Sequence, residues 1–266
     1  IKTQFFSEEL AGEGGLFPPE RIRQLQGSHT THYAAEAGQQ YAFLIDFAGC
    51  AAPSGAENSS LARPERDATA LTIVEVDTST RADALYRAPI YRCVWRYEWR
   101  GTPHPTLLSA IHTLAQRWNP RYIVTDATGL GGPLTSFLQQ KYGERVIPFV
   151  FTSRSKSRLG WDFLSVIDSG RWQEFAVSED TYQLDYQAEF YRQMRFTAFR
   201  VETGLLRWGV PDGTRDADTG DILHDDWLMS AAMCVCLEER SFASALPDEG
   251  NIVMGADPLR EMDEGF

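Results

Sequence analysis

No apolar run among these 266 residues approaches the ~20 positions that a membrane-spanning helix needs, so no membrane role is expected. The opening, Ile1 to Phe6, gives way at once to Ser7 and Glu8 and does not read as a secretory leader; a first residue that is not Met suggests a fragment. Cysteine is scarce. Cys50, Cys93, Cys234 and Cys236 form no C-x-x-C pair, and the last two diverge on a helix, which leaves unpaired thiols in a reducing compartment as the expectation. His29 and His32 have metal-binding spacing but no partner cluster, and read as loop residues. Neither G-x-S-x-G nor H-E-x-x-H occurs, which removes the common serine and zinc hydrolases. G-x-x-x-x-G-K-[ST] is missing as well, and with it a P-loop. Positive charge is in deficit: 25 Lys and Arg against 37 Asp and Glu give a net charge of −12, which opposes unaided binding to phosphates.

What is present is globular, with 43% apolar residues, and the charge is segregated. Six aspartates and one arginine lie between Pro211 and Asp226, and the tail after Ser241 is acidic. Lys141 to Arg171 is the basic stretch, with Arg154, Lys156, Arg158 and Arg171 as candidate phosphate contacts. Along the chain, a turn-rich start leads to a buried strand at Tyr41–Phe47, a second at Ala70–Val76, and a third in which Tyr91, Cys93, Trp95, Tyr97 and Trp99 alternate as one face of a half-exposed strand. Loops rather than helices separate the three, so they predict an antiparallel meander. A helix through Leu107–Trp118, a strand at Tyr122–Thr125, a helix from near Pro133 and a strand at Arg145–Val150 follow. Two further helices, a hairpin across Thr203-Gly204 and a helix from about Asp225 to Glu239 complete an α/β chain with a mixed central sheet flanked by helices.

Carboxylates occupy expensive positions in this pattern. Asp46 ends the first buried strand, Asp126 ends the strand after the first helix, and Asp225 and Asp226 open the last helix behind His224. Each alone has an ordinary explanation as a turn or helix-start residue. Together, on neighbouring strand ends, they would repel one another, and a hard divalent cation relieves such repulsion. Oxygen ligands favour Mg²⁺ or Mn²⁺ over zinc, and two such ions suit phosphodiester hydrolysis. The glycine turn from Asp126 to Pro133 is a weak nucleotide-binding signal, because its spacing is not G-x-G-x-x-G. Asp216 to Asp221 departs from a calcium loop and reads as an acidic hairpin.

The ordered set YAFLIDFA, YIVTDATGLGGPL and HDDWLMSAAM, with FTSRSKSRLGWDFL after the second, resembles the nuclease domain of large terminase subunits of tailed double-stranded DNA viruses. The resemblance spans roughly Gln40 to Glu239. It implies a ribonuclease H-like fold over 37–240, a connecting arm at 1–36 from an ATPase motor domain, and an acidic tail at 241–266. It implies a divalent-metal-dependent endonuclease that cuts concatemeric double-stranded viral DNA during packaging. Asp46, Asp126 and Asp226 would bind one or two Mg²⁺ or Mn²⁺ ions, with Asp225 as a near equivalent and Asp67 and His224 as auxiliary groups. DNA, the motor, the small terminase subunit and the portal would be partners, in the host bacterial cytoplasm. A junction resolvase or transposase-like nuclease of the same fold, or a non-enzymatic nucleotide-binding or assembly module, are the alternatives.

Overall fold

The computed structural model describes residues 15–48, 68–83, 87–177, 183–216 and 220–242. Its elements in chain order are α1 (Pro19–Arg23), β1 (Tyr41–Asp46), β2 (Ala68–Asp77), β3 (Ile90–Arg100), α2 (His104–Trp118), β4 (Tyr122–Asp126), α3 (Gly131–Tyr142), β5 (Val146–Phe149), α4 (Ser153–Asp168), β6 (Trp172–Gln173), α5 (Leu184–Phe196), β7 (Ala198–Glu202), β8 (Leu205–Gly209) and α6 (Asp226–Ala232). The helix expected to Glu239 tightens after Ala232 into a 3-10 turn over Met233–Leu237.

Six strands form one sheet in the order β5-β4-β1-β2-β3-β6. β1, β2 and β3 are the antiparallel meander, while β4 joins β1 and β5 joins β4 in parallel. Helices α2 and α3 cover one face, packing Ile111, Trp118, Leu134 and Leu138 on Phe43, Ile45, Leu71 and Ile123. The opposite face carries α4, α5 and α6, with Phe163, Phe190, Met194 and Trp227 against Leu44, Ala70, Val74 and Val124. Asn119 ends α2 in the left-handed conformation, which Asn tolerates better than most residues. Thr203 and Gly204, both at positive φ, turn the separate β7–β8 hairpin as its right-handed strand twist requires.

Two sequence expectations change. The alternation in β3 does not mark one face, because the pairing slips at a bulge: Ile73 opposes Trp95, whereas Val74 opposes Cys93. Val94 is the extra residue. Tyr91 and Cys93 therefore face the α4–α6 core, while Trp95, Tyr97 and Trp99 lie against the α2 side. The expected arm also belongs to the domain from residue 15 onward. Leu16, Phe17 and Leu25 are core residues, and Gly27 N–H donates to the Glu174 carbonyl at 2.8 Å. Three apolar residues among glycines and prolines carry no period by which their burial is read. Within this segment His29 donates through Nε2 to the Cys93 carbonyl at 2.7 Å, while His32 meets the Tyr41 hydroxyl at 3.0 Å. The two imidazoles thus serve separate contacts. Residues 1–14, Cys50 and residues 243–266 of the tail lie outside the described residues.

Because of the bulge, Arg96 points into the α4–α6 core, where it is fully buried. Its two terminal nitrogens donate to Glu174 at 2.9 and 2.6 Å, and Glu174 also accepts from the Trp172 indole at 2.9 Å. The guanidinium carbon lies 4.8 Å from the Phe190 ring centre and 5.8 Å from that of Trp227. Removing one partner of such a pair strands the other charge, so Arg96→Met is expected to cost about 3–5 kcal/mol in denaturant unfolding. Adding Glu174→Gln to that variant should recover part of the loss; a further loss would show that the charges are not coupled.

A second expectation concerns the turn between β4 and α3. A Cβ on Gly131 would lie 2.2 Å from the Asp126 carbonyl oxygen, whereas one on Gly132 meets the Ala127 carbonyl oxygen at 3.4 Å. Gly131→Ala forces backbone apart and should destabilise by about 1–3 kcal/mol. Gly132→Ala should be neutral or gain up to about 1 kcal/mol, since alanine loses less backbone entropy in a helix. Equal melting temperatures for the two variants would contradict this packing.

Candidate metal centre

Strand parity places the first two carboxylates. Leu44 and Val124 face the α4–α6 core, and side chains two residues apart share a face, so Asp46 and Asp126 point the same way. Ile45 pairs with Thr125 in the parallel register, which leaves Asp46 and Asp126 side by side one step further, on strands about 4.8 Å apart. Asp126 is oriented by its own turn: the Thr128 amide donates to its Oδ1 at 2.7 Å, and the Thr128 hydroxyl accepts from the Phe151 amide at 2.8 Å.

The other two carboxylates come from the start of α6, which hydrogen bonds pin to the sheet. The Ser230 hydroxyl donates to the Leu44 carbonyl at 2.8 Å and lies 2.9 Å from the Thr72 hydroxyl. Gln193 of α5 accepts from the Leu228 amide at 3.0 Å, satisfying a donor that a helix start leaves open. Asp226 lies one turn before Ser230 and so on the same helix face. Its Oδ2 accepts from the Ala68 amide at 3.0 Å. Asp225 occupies the N-cap position but makes no side-chain cap; its Oδ2 lies 3.5 Å from Lys156 Nζ instead.

These residues line a cleft of about 370 Å³: Asp46, Asp126, Asp225 and Asp226, with Lys156, Thr128, Phe151 and the Gly129–Gly131 turn. The Asp46 carboxyl is held well above the usual carboxylate range, first by burial and then by repulsion from Asp226, Asp126 and Asp225; Lys156 opposes the shift. Burial also raises Asp126, against the two hydrogen bonds from Thr128. Among the described residues no three His, Cys, Asp or Glu side chains are gathered tightly enough to hold an ion as they stand. The carboxylates are instead turned to nearby donors, Asp226 to Ala68 and Asp225 to Lys156. The donor set nevertheless suits a hard divalent cation, since it is all oxygen and Asp46 carries unrelieved repulsion.

The remaining sequence candidates scatter. Asp67 lies outside the described residues. His224 is half-buried and is not among the cleft-lining residues. The expectation that Arg154, Lys156, Arg158 and Arg171 form one phosphate-facing surface is corrected by where their side chains lie. Lys156 lines the cleft and Arg154 is exposed in the first turn of α4. Arg158, two positions on, points elsewhere and pairs with Asp162 at 3.3 Å. Arg171 is buried and committed to Glu238 at 2.7 Å. Both border a different groove, of about 730 Å³, beside Cys236 and Glu238. A basic residue that sequence reading missed is Arg207 of β8. It lines a hollow of about 260 Å³ that shares Phe151 and Lys156 with the cleft, and it donates to the Ser153 hydroxyl at 2.6 Å. Gly209, which ends β8 against Asp225, was missed too; a glycine in a strand does signal close approach.

The family model of the terminase RNaseH-like domain matches residues 87–191, from β3 into α5. No curated protein is similar enough in sequence to match. Among solved structures, the chain is similar to the large terminase nuclease from thermophilic phage G20c with bound cobalt, at a TM-score of 0.56 and 13% identity over 85% of this chain and 98% of that one. It is similar to the Thermus phage P74-26 large terminase nuclease domain at 0.53 and 13%, over 86% and 97%. A mutant nuclease domain of the large terminase subunit of bacterial virus Sf6, with manganese and beta-thujaplicinol, gives 0.50 and 10%, over 83% and 98%. At these identities the likeness is one of fold. The family match thus covers residues 87–191, and the likeness of fold to terminase nucleases extends over most of the chain.

Proposed function

We propose that the chain is the nuclease part of a viral large terminase and cuts double-stranded DNA by metal-dependent hydrolysis of the phosphodiester bond. The observation that carries this reading is the cleft itself. Four carboxylates from β1, β4 and the start of α6 line it, with Asp46 repelled by the other three. Such an arrangement is costly unless something offsets its charge. The similar nucleases from phage G20c were solved with bound cobalt and with bound magnesium, and that from Sf6 with manganese, which supports a divalent cation here.

Asp46, Asp126 and Asp226 would hold the metal, with Asp225 beside them. The chemistry that one or two Mg²⁺ or Mn²⁺ ions supply when bound is activation of a water and stabilisation of the leaving oxygen. The chain's own groups prepare the rest. Thr128 orients Asp126, and the Ala68 amide orients Asp226. Lys156 brings an ammonium to the rim of the acidic cleft, where it partly cancels the carboxylate field and would meet a phosphate oxygen of bound DNA. Arg154 and Arg207 continue that positive edge around the first turn of α4. Contacts of this kind hold the DNA backbone without reading bases. With a net charge of −12, binding by this domain alone is weak and depends on salt. The ATPase motor, the small terminase subunit and the portal would hold the concatemer during packaging in the host cytoplasm. No described helix is long and apolar enough to cross a membrane.

Asp46→Asn removes a charge that the fold opposes. The purified, metal-free variant is therefore expected to melt at a higher temperature than the parent, as residues tuned for activity often do on neutralisation. Plasmid cutting in Mn²⁺ should fall at least about 100-fold in Asp46→Asn and in Asp126→Asn, because a metal centre supplies several kcal/mol of charge stabilisation. Chelation should stop the parent protein. Parent-like cutting by either folded variant would refute the assignment.

A further inference from the structure

Gly209 closes β8 at φ +141°, and the space that a side chain would take there is already occupied. A Cβ would lie 2.6 Å from Asp225 Oδ2 and 3.3 Å from Lys156 Nζ. Those two charged atoms are 3.5 Å apart. The backbone of one hairpin residue therefore forms the third wall around the contact between a cleft carboxylate and the cleft ammonium.

The hairpin is held in register over that contact. The Leu206 amide donates to the Ser157 hydroxyl at 2.9 Å, and the Trp208 indole N–H donates to the Lys156 carbonyl at 2.8 Å. Lys156 Nζ lies 5.8 Å from the Trp208 ring centre. Gly160 of α4 admits the indole, since a Cβ there would stand 2.4 Å from Trp208 Nε1. Leu206 and Trp208 thus face α4 and are buried, which fixes the height at which Gly209 passes Asp225.

We propose that Gly209 is a positioning residue for the carboxylate centre. Its missing side chain is the seat in which Asp225 and Lys156 meet, and through it the β7–β8 hairpin sets how Asp225 faces the cleft. The inference rests on the reading of the cleft as a metal-dependent centre and adds a device outside the ligand set. A side chain at 209 displaces the Asp225 carboxylate and separates it from Lys156, so the centre loses both an oxygen donor and its counter-charge. Backbone strain alone behaves differently: an L residue at this φ is disfavoured whether or not Asp225 is present.

A double-mutant cycle separates the two effects. The parent, Gly209→Ala, Asp225→Ala, the double variant and Gly213→Ala are unfolded in chelator, and Mn²⁺ affinity is measured by electron paramagnetic resonance titration of the parent, Gly209→Ala and Gly213→Ala. Gly213→Ala is the control, at φ +76° with nothing within 4 Å of its Cβ. The seat predicts that the stability loss in Gly209→Ala shrinks measurably once Asp225 is alanine, because the collision is gone and only the backbone strain remains. It also predicts Mn²⁺ affinity weakened roughly 10- to 100-fold, the range for groups that orient metal ligands. Gly213→Ala should lose stability but keep Mn²⁺ affinity. If Gly209→Ala does not fold alone, recovery of folded protein in the double variant is the same supporting result. Additive losses, an unfolded double variant, or parent-like Mn²⁺ affinity in Gly209→Ala would overturn the proposal. A parent protein that binds no Mn²⁺ would instead overturn the metal-centre reading, while the metal-free cycle still decides the seat.

Discussion

Arg96 and Glu174 carry opposite charges into a place where neither is solvated, and the helical face of the molecule is assembled around them. Each is tolerated only because the other is there, in a two-bond arrangement that matches a guanidinium to a carboxylate. The surrounding contacts join four parts of the fold. Glu174 follows β6 and bridges to Gln26, while Trp172 and Gln187 donate to it. Gln183 accepts from the Arg96 amide, and the rings of Phe190 and Trp227 flank the guanidinium. Trp227 is the residue after Asp226. The pair that organises the core therefore also seats the helix that delivers two carboxylates to the cleft.

The cleft shows the opposite economy of charge. Asp46 has burial and three like charges against it, and Lys156 is the group that opposes them. Neutral contacts hold this unfavourable cluster in place: the strand register, Ser230 on Leu44 and Thr72, Gln193 on the α6 start, and the Thr128 turn. The local cost of this cluster is sustained by structure elsewhere, through side-chain hydrogen bonds and strand pairing. In the proposed metal-dependent reading, a bound divalent cation would replace this repulsion with attraction.

Much of the fold was legible because its signals are periodic. The runs at Tyr41–Phe47 and Ala70–Val76, the helical period of Leu107 to Trp118 and the Thr203-Gly204 turn all became the elements they predicted. Legibility failed where one residue shifts a pattern. The bulge at Val94 leaves the spacing of Tyr91, Cys93, Trp95, Tyr97 and Trp99 intact in sequence while dividing them between two faces. It failed again where burial depends on distant partners. Leu16, Phe17 and Leu25 lie in a stretch with loop composition but fill the core, and Arg171, at the end of the basic stretch that starts at Lys141, is buried against Glu238.

By itself the sequence determined the alternation of strands and helices and the position of Asp46, Asp126, Asp225 and Asp226 at their ends, because period and turn chemistry are local properties. Only the tertiary structure decided that these ends meet. Strand order and register place Asp46 beside Asp126, and the hydrogen bonds of Ser230 and Gln193 bring the start of α6 over them. It also decided which cation attends the cleft. Lys156 and Arg158 are two residues apart, but helical geometry sends one toward Asp225 and the other to Asp162. Gly209 meets that Lys156–Asp225 contact from a hairpin more than fifty residues downstream of Lys156, a relation that exists only when the chain is folded.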